Sequence, residues 1–358
     1  MSLKTKQKGN QPNFKRIIEE VLDKNKCTDC GICQAVCFLA GAGVISYEQP
    51  AYRVYDDEKC ERCGFCQASC PVTSYDTTNS DYRIFRGFTG KYISMRSFKT
   101  TIPEVTEGCQ DGGAATSLLV YMLENNIIDA AMVTRRMDDW SPLSFLTNNR
   151  DEIIAAAGSK YSTNPVFHAI TSLKDITPEE LKKYGVKKVD DLRLAVVGLP
   201  CQISGLTKVQ NLGIFPSNLI KVKIGLFCFK NYNWLKLRDF LTKKLKLQLE
   251  QIKKITILGN MTINMKDGKA ITVKPSDYAS LVNEGCAFCK DLTAYDADIS
   301  CGNIGSAAGA TTVIARTKKG LDIVERTRLA GYIEDVPGLN VGEVTRQARM
   351  KLNKAKTE

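Results

Sequence analysis

The chain contains one cysteine pattern twice, CTDCGICQAVC at 27 to 37 and CERCGFCQASC at 60 to 70, with a constant offset of 33 residues. Three thiolates spaced C-x2-C-x2-C can surround one 4Fe-4S cubane from a single loop, and the cysteine three residues further on reaches the second cubane. We therefore predict two 4Fe-4S clusters with crossed ligands. The first set is Cys27, Cys30, Cys33 and Cys70, and the second set is Cys60, Cys63, Cys66 and Cys37.

The alternatives to this pattern are a pair of zinc sites or a disulfide framework. Zinc sites usually pair two C-x2-C units or include histidine, and the sequence has a single histidine, His168. Fourteen cysteines in a reducing compartment are typical of metal thiolates. Cys70 is followed by Pro71, as in bacterial ferredoxins, whereas Cys37 is followed by Phe38.

Four further cysteines lie in positions suited to ligation, because two of them end or follow predicted strands and two form a C-x2-C pair. A lone C-x2-C pair needs two more ligands, and the strand-end cysteines are placed to supply them. We predict a third 4Fe-4S cluster held by Cys201, Cys228, Cys286 and Cys289. Cys109 and Cys301 remain as substitute ligands or as packed thiols.

The composition indicates a folded redox protein. Its 358 residues, 43% of them hydrophobic, suffice for a small ferredoxin module and a larger unit. The formal charge of +11 falls when clusters bind, since an oxidised 4Fe-4S centre with its thiolates carries roughly two negative charges. Nucleic-acid binding is therefore not expected, and the basic stretch at 241 to 255 is interpreted as a helix with a solvated lysine face.

The N-terminal sequence is polar and basic, and no apolar run approaches the length of a bilayer span. We expect neither a signal peptide nor direct membrane insertion. The expected location is the cytoplasm, with any attachment to the inner membrane face made through a partner protein.

The order of patterns predicts an α+β chain with three parts. Residues 1–72 are expected to form a bacterial-type two-cluster ferredoxin domain, residues 73–87 a polar linker, and residues 88–358 a larger α/β domain with an inserted β-hairpin, for which the family resemblance described below implies flavin binding. Strands are predicted at 192–200, 221–229 and 311–317, and a late helix at 320–333. The Asp267-Gly268 turn centres the hairpin at 255–275.

A glycine-bearing turn opens a predicted helix in the segment EGCQDGGAATSLLVYMLENNIIDAAMV at 107 to 133, and the strand AAMVTR follows. Gly112 and Gly113 allow a close approach of the backbone, and the first amides of the helix suit a phosphate or the polar groups of a flavin. An ordinary junction between loop and helix is the simpler interpretation of this turn taken alone, and Asp111 is alternatively an N-cap.

These segments, in order, carry a resemblance to a known family. The turn and helix at 107–133, AGSKYSTNP, VVGLPCQISGL, KIGLFCF and CAFCKDLTAYDADISCGNIGSAAGATTVIART are similar to the family of beta subunits of coenzyme F420-reducing hydrogenase. The resemblance covers nearly all of the chain after residue 85. With its fused ferredoxin domain, the chain most resembles the F420H2 dehydrogenase input subunits of methanogens and related archaea.

The resemblance implies one FAD, a 4Fe-4S cluster in the larger domain and hydride exchange with reduced coenzyme F420. The partner it implies is a membrane-bound respiratory complex or a heterodisulfide reductase-like or hydrogenase-like protein. The alternatives are a related flavin and iron-sulfur subunit of formate dehydrogenase, hydrogenase or glutamate synthase, or an electron-transfer adaptor without flavin. The family cysteines of its GxPC, GLFC and CxxC segments match the third set.

Three loops are expected to form the FAD pocket, because glycines and short polar side chains suit close contact with a cofactor. Lys160 is expected to pair with a flavin phosphate or to stabilise the anionic reduced ring, or else to be a surface lysine. His168 is expected to be a packed residue in the core or beside the site, with contact to the substrate as the alternative. The predicted FAD-binding residues are Gln110, Asp111, Gly112, Gly113, Thr116, Ser159, Lys160, Tyr161, Thr163, Asn164, Asn303 and Gly305.

Overall fold

A computed structural model describes residues 13–48, 52–73 and 87–356 of the chain. Most of the predicted linker and the basic N-terminal segment lie outside these residues. The helices of the described residues are α1 Phe14–Ile17, α2 Ile32–Ala40, α3 Phe65–Ser69, α4 Pro103–Gly108, α5 Ala114–Glu124, α6 Arg150–Ala155, α7 Pro178–Lys182, α8 Pro200–Asn211, α9 Trp234–Asp239, α10 Pro275–Tyr278, α11 Lys318–Leu329 and α12 Val341–Lys354.

Short 3-10 and π-helical segments connect several of these elements. The π-helical turns extend α1 and α9, at Ile18–Leu22 and Phe240–Lys244. The 3-10 helices are Val166–Asp175, Val189–Asp191, Ser217–Leu219, Leu249–Gln251, Ala279–Leu281 and Glu284–Ala287.

The described strands form three sheets: a two-stranded hairpin β1-β2, an eight-stranded mixed sheet in the order β13-β3-β12-β11-β7-β6-β4-β5, and a three-stranded antiparallel sheet β10-β9-β8. Their bounds are β1 Ile45–Glu48, β2 Tyr52–Tyr55, β3 Ser94–Thr100, β4 Ala130–Arg136, β5 Pro142–Thr147, β6 Leu194–Gly198, β7 Ile220–Leu226, β8 Ile252–Leu258, β9 Asn260–Met265, β10 Ala270–Val273, β11 Ile299–Gly302, β12 Thr311–Ala315 and β13 Ile333–Asp335.

The centre of the large sheet is parallel. Strand β6 pairs in parallel with both β4 and β7, and β7 pairs in parallel with β11. Antiparallel strands complete both sides, with β5 beside β4 and the series β12-β3-β13 beside β11. The carboxyl ends of the four parallel strands therefore meet at one edge, which is where open α/β sheets bind ligands.

The predicted hairpin at 255–275 is present as part of the three-stranded sheet. Strands β9 and β10 pair around the Asp267-Gly268 turn, with Gly268 at φ +89°. Strand β8 adds to β9 through a second turn at Gly259, where φ is +77°. This sheet is separate from the large one.

The interpretation of 241–255 as one helix is wrong. The helical segment ends at Lys244, and Lys246 then adopts a left-handed conformation at φ +55° that stops the helix. The chain continues into β8, where Ile252 and Ile255 are buried in the core of the small sheet.

The ferredoxin module and the large sheet share one apolar core. Ile32 of α2 is 2% exposed and lies in the same buried cluster as Val196 of β6 and Ile203 of α8. An ideal Cβ at Gly205 of α8 would lie 3.3 Å from Ile32 Cγ1. The module is therefore packed directly on the edge of the sheet that carries the strand-end cysteines. None of the helices in the described ranges combines the length and apolar character needed to cross a bilayer.

Candidate redox centres

The two repeated cysteine loops have the same local conformation. Asp29 and Arg62 lie at φ 55° and 57°, and Gly31 and Gly64 both lie at φ 75°. The positive φ of each glycine turns the chain into the following helix, α2 or α3, so that a helix begins within each motif. The repeat in sequence is thus a repeat in backbone geometry.

The second cysteine set surrounds a cavity. Its lining includes Cys60, Cys63 and Cys66 from the second motif together with Cys37 from the end of the first. The empty volume is about 330 Å³, open in part to solvent, and Cys63 is exposed. A thiol from the first motif therefore faces the second loop, as crossed ligation requires.

Two members of the first cysteine set, Cys33 and Cys70, lie close together. Burial raises the pKa of Cys70, and Cys33 is among the charges that raise it further. Lys208 of α8 donates a hydrogen bond of 2.8 Å to the carbonyl oxygen of Cys70. The returning cysteine of the second motif is therefore held against both the first motif and the larger domain.

The third set collects at the carboxyl edge of the parallel strands. Cys201 lies in the first turn of α8 directly after β6, and Cys228 lies two residues beyond β7. Adjacent parallel strands end at the same edge, which places these two cysteines side by side. The C-x2-C pair of Cys286 and Cys289 faces them, and all three neighbours act electrostatically on the Cys201 thiol.

Burial determines the chemistry of these thiols. It raises the pKa of Cys201 well above the ordinary value and the pKa of Cys228 to about 12. Cys66 of the second set has its pKa raised to about 12, by burial first and then by neighbouring thiols. Grouped thiolates become favourable here when a bound cation compensates their charge, which is what iron supplies.

Within the described residues, no three His, Cys, Asp or Glu side chains are placed to share a single metal ion. A cubane makes a different demand, because each of its thiolates binds a separate iron. The grouping of the second and third sets, and the proximity of Cys33 and Cys70 in the first, are compatible with that demand.

The first and third sets are neighbours. Cys30 of the first set is, after burial, the foremost charge acting on the Cys201 thiol. Asp29 accepts a hydrogen bond of 2.6 Å from Asn283 Nδ2, beside the C-x2-C pair. An ideal Cβ at Gly285 would lie 2.3 Å from the carbonyl oxygen of Cys27, so the two cysteine loops are in backbone contact.

The three predicted flavin loops, 110–113, 159–164 and 303–306, converge around Asp111. Its carboxylate makes a side-chain hydrogen bond with Asn303, and burial raises its pKa. Tyr161 lies close enough for Asp111 to raise the pKa of its hydroxyl, behind burial as the main cause. Each loop thus contributes at least one polar side chain to the same region.

Strand β8 closes this region from the small sheet. Gln110 Nε2 donates a hydrogen bond of 3.2 Å to Thr256 Oγ1, and Tyr161 OH accepts one of 3.2 Å from the Ile257 amide. Lys254 Nζ donates to the carbonyl oxygen of Cys109 at 3.0 Å. Thr256 and Ile257 belong to the predicted hairpin, where these contacts were not expected, and Lys254 was assigned to a helix with a solvated lysine face.

The two glycines of the turn have different roles. An ideal Cβ at Gly112 would lie 2.5 Å from the Thr311 amide nitrogen, so this position must be glycine for the loop to lie on β12. Gly113, at φ +71°, is the N-cap of α5, and the helix has no side-chain cap. The prediction of Asp111 as an N-cap is therefore wrong, and the first amides of α5 are open to an anionic group.

Lys160 lies in the loop that follows α6, five residues after the last helical residue, Ala155. Its Nζ donates hydrogen bonds to the carbonyl oxygens of Ala156, Ala157 and Gly158. Burial first, and then the Arg136 guanidinium, lower its pKa to about 7. Two cationic groups thus lie beside the 159–164 loop.

The other predicted flavin residues make a range of contacts. Thr116 is half-buried in the first turn of α5, and Ser159 hydrogen-bonds the Tyr161 hydroxyl. The Thr163 amide donates to Tyr232 O at 3.2 Å. The remaining two contact other elements: Asn164 donates to Ser144 Oγ and accepts from Gln202, and Gly305 packs on Asn340.

The structure also shows the surroundings of Cys301, Cys109 and His168, which the sequence analysis left outside the predicted sites. Cys301 is 2% exposed within β11, and burial raises its pKa to about 12. The Cys109 thiol donates to the carbonyl oxygen of Asp111 at 2.7 Å, in the flavin loop. His168 is exposed at the surface, so the expectation of a packed histidine is wrong.

Tyr232 OH is buried without a hydrogen-bond partner among the described residues, between the flavin loops and the third set.

A mixed α/β fold with a cysteine-rich N-terminal region is consistent with an iron-sulfur oxidoreductase. Two family models match the chain. The model for the N-terminal part of the coenzyme F420 hydrogenase/dehydrogenase beta subunit matches residues 95–171, and the model for its C-terminal part matches residues 191–338. The chain belongs to this family of coenzyme F420 hydrogenase/dehydrogenase beta subunits, whose oxidoreductases use coenzyme F420.

Individual relatives agree with the family models. The beta subunit of coenzyme F420 hydrogenase from Methanothermobacter thermautotrophicus is 33% identical over 69% of this chain and 85% of its own length. An F(420)H(2) dehydrogenase subunit from Methanosarcina mazei is 27% identical over 93% of this chain and 92% of its own, a range that includes the ferredoxin module.

A solved structure shares the fold. A chain of the F420-reducing [NiFe] hydrogenase complex from Methanosarcina barkeri matches with a TM-score of 0.66 and 29% sequence identity. The match covers 75% of this chain and 91% of that one. The family implies FAD and iron-sulfur cofactors, and the loops and cysteine sets described above fit both groups.

Proposed function

We propose that this chain oxidises reduced coenzyme F420 by hydride transfer to FAD and passes single electrons through three 4Fe-4S clusters to a partner protein. The reaction is reversible in principle. The observation that carries the proposal is a continuous series of sites: the 159–164 loop joins the flavin region to the third cysteine set, and Cys201 joins that set to Cys30.

FAD, when bound, supplies the ability to accept an electron pair as hydride and to release electrons one at a time. The chain's own residues would hold and orient it. The first amides of α5, which have no side-chain cap, would attract an anionic group, and Arg136 adds positive charge nearby. Tyr161 and Gln110, fixed by β8, close the region from the side of the small sheet and exclude water.

We expect electrons to pass through the cysteine sets in the order third, first and second. The third set lies next to the flavin loops, the first set adjoins it through Cys30, and the second set ends the series. Cys63 of the second set is exposed, so the outermost site opens to the surface. A one-electron partner, such as a membrane-bound respiratory complex or a heterodisulfide reductase-like or hydrogenase-like protein, would dock at that face.

An anaerobic donor panel tests this function. Full-length protein reconstituted with iron, sulfide and FAD is mixed with reduced coenzyme F420, with NADH or with formate, while absorbance is followed. We expect reduced coenzyme F420 alone to bleach the flavin and then the clusters. Bleaching by another donor alone would overturn the assignment, and iron-sulfur absorbance without any retained flavin would indicate an electron-transfer adaptor.

A further inference from the structure

Helix α12 places a buried lysine, Lys351, beside the third cysteine set. Helix α12, Val341–Lys354, lies beyond the residues matched by the family models, which end at 338. Lys351, in its last turn, is 4% exposed. Burying a lysine is unfavourable unless its ammonium group is fully paired, so its surroundings indicate what it does.

Each N–H donor of Lys351 has an acceptor at the third set. Its Nζ donates to the carbonyl oxygen of Cys228 at 2.5 Å and to that of Asp291 at 2.7 Å. The third contact is a side-chain hydrogen bond to Cys289. A lysine ammonium has three donors, and all of them are directed at or beside predicted cluster ligands.

The Asp291 carboxylate, which lies near Lys351, is hydrogen-bonded by backbone amides instead of by the lysine. The Asp291 carboxylate accepts backbone N–H bonds from Thr293 at 2.9 Å, Ala294 at 2.8 Å and Tyr295 at 2.9 Å. Backbone amides therefore hold this carboxylate, while Lys351 bonds the Asp291 carbonyl oxygen. The charge of Lys351 acts on the thiols of Cys228 and Cys286 as well as on Cys289.

We propose that Lys351 raises the reduction potential of the third cluster by holding a buried positive charge and an N–H donor against its ligands. Reduction adds one negative charge to a cluster, and a nearby cation stabilises the reduced form more than the oxidised form. A hydrogen bond to a ligand sulfur acts in the same direction. The third cluster is thereby made the better electron acceptor beside the flavin. This inference rests on the third cluster of the proposed function.

Redox titration of the reconstituted full-length protein, followed by electron paramagnetic resonance, tests the role of Lys351. In Lys351→Gln, which removes the charge and keeps a donor, we expect at least a tenfold fall in the equilibrium constant for reduction of the third cluster. Tenfold corresponds to about 59 mV for a one-electron couple. The two ferredoxin clusters of the same molecule should keep their midpoints.

Two control variants separate charge from packing. Lys351→Arg keeps the positive charge and should keep the third midpoint near the wild-type value. Lys354→Gln removes an exposed charge from the same helix and should leave all three midpoints unchanged, because solvent screens it.

Three other outcomes would contradict the proposed role of Lys351. An unchanged third midpoint in Lys351→Gln overturns the proposal while leaving the proposed function intact. Loss of the third cluster in both Lys351→Gln and Lys351→Met, with retention in Lys351→Arg, assigns Lys351 to holding the cluster and also overturns tuning. Wild-type protein that shows two cluster signals removes the third cluster itself, and with it the electron path of the proposed function.

Discussion

Paired cysteine substitutions distinguish crossed from uncrossed ligation, because two ligands of one cluster fail together. In the crossed arrangement Cys37 and Cys63 bind the same cubane, whereas Cys37 and Cys30 bind different ones. The structure places the first pair around one cavity, and an ideal Cβ at Gly41, beyond the end of α2, would lie 3.4 Å from Cys63 Sγ.

The magnitude follows from the iron content. Three cubanes hold about twelve irons, so Cys37→Ala alone should leave about eight. The double variant with Cys63→Ala should also leave about eight, whereas the double variant with Cys30→Ala should leave about four. With uncrossed ligation, the double variant with Cys63→Ala would keep about four irons and the double variant with Cys30→Ala about eight.

The assay is iron per chain after anaerobic reconstitution and gel filtration, with bound flavin as the control for folding. Both double variants carry two alanines in the same module, so each controls for the destabilisation caused by the other. About four irons in the Cys37 and Cys63 double variant, with flavin retained, would refute the crossed arrangement.

Three further variants have distinct expected outcomes. Gly112→Val should lose FAD and keep about twelve irons, because its side chain would displace the loop from Thr311; a normal ratio of flavin to iron would contradict this. Cys301→Ala should keep its iron, and the native Cys301 thiol should resist iodoacetamide at pH 8, since burial raises its pKa to about 12; rapid native alkylation would count against its packing. His168→Ala should leave flavin reduction by coenzyme F420 unchanged in stopped flow, because His168 is exposed; a marked loss of rate would place it at the substrate.

The positions of the cysteines relative to helices and strands could be predicted from the sequence, because spacing and strand ends are local properties. Cys201 and Cys228 follow strongly apolar segments, and those segments proved to be neighbouring parallel strands. Two adjacent parallel strands bring their following residues together, which accounts for the proximity of Cys201 and Cys228, while the ligand set as a whole stays a prediction.

The other contacts depend on the tertiary fold. The switch from helix to strand after Lys246 was hidden by a run of lysines, so the first residues of β8, Lys254 among them, were assigned to a helix. Lys351 comes from a charged helix whose sequence gives no sign that one lysine is buried. The shared core between Ile32 and Gly205 likewise joins segments far apart in the chain.

That shared core also affects how the electron path can be tested. Removing residues 1–72 would expose α8 and the backbone contact between Cys27 and Gly285, so a truncation would disturb the third set as well as the ferredoxin module. A single ligand substitution leaves these surfaces in place and interrupts the path at one point.

Stopped-flow mixing of reduced coenzyme F420 with the full-length Cys289→Ala variant under argon tests the central claim most directly. Cys289 belongs to the third set, between the flavin loops and the ferredoxin module. We predict that flavin bleaching keeps a rate near that of the wild type, while reduction of the two ferredoxin clusters becomes much slower. Ferredoxin clusters reduced at the wild-type rate in a variant shown to lack the third cluster would contradict the proposed order of electron transfer.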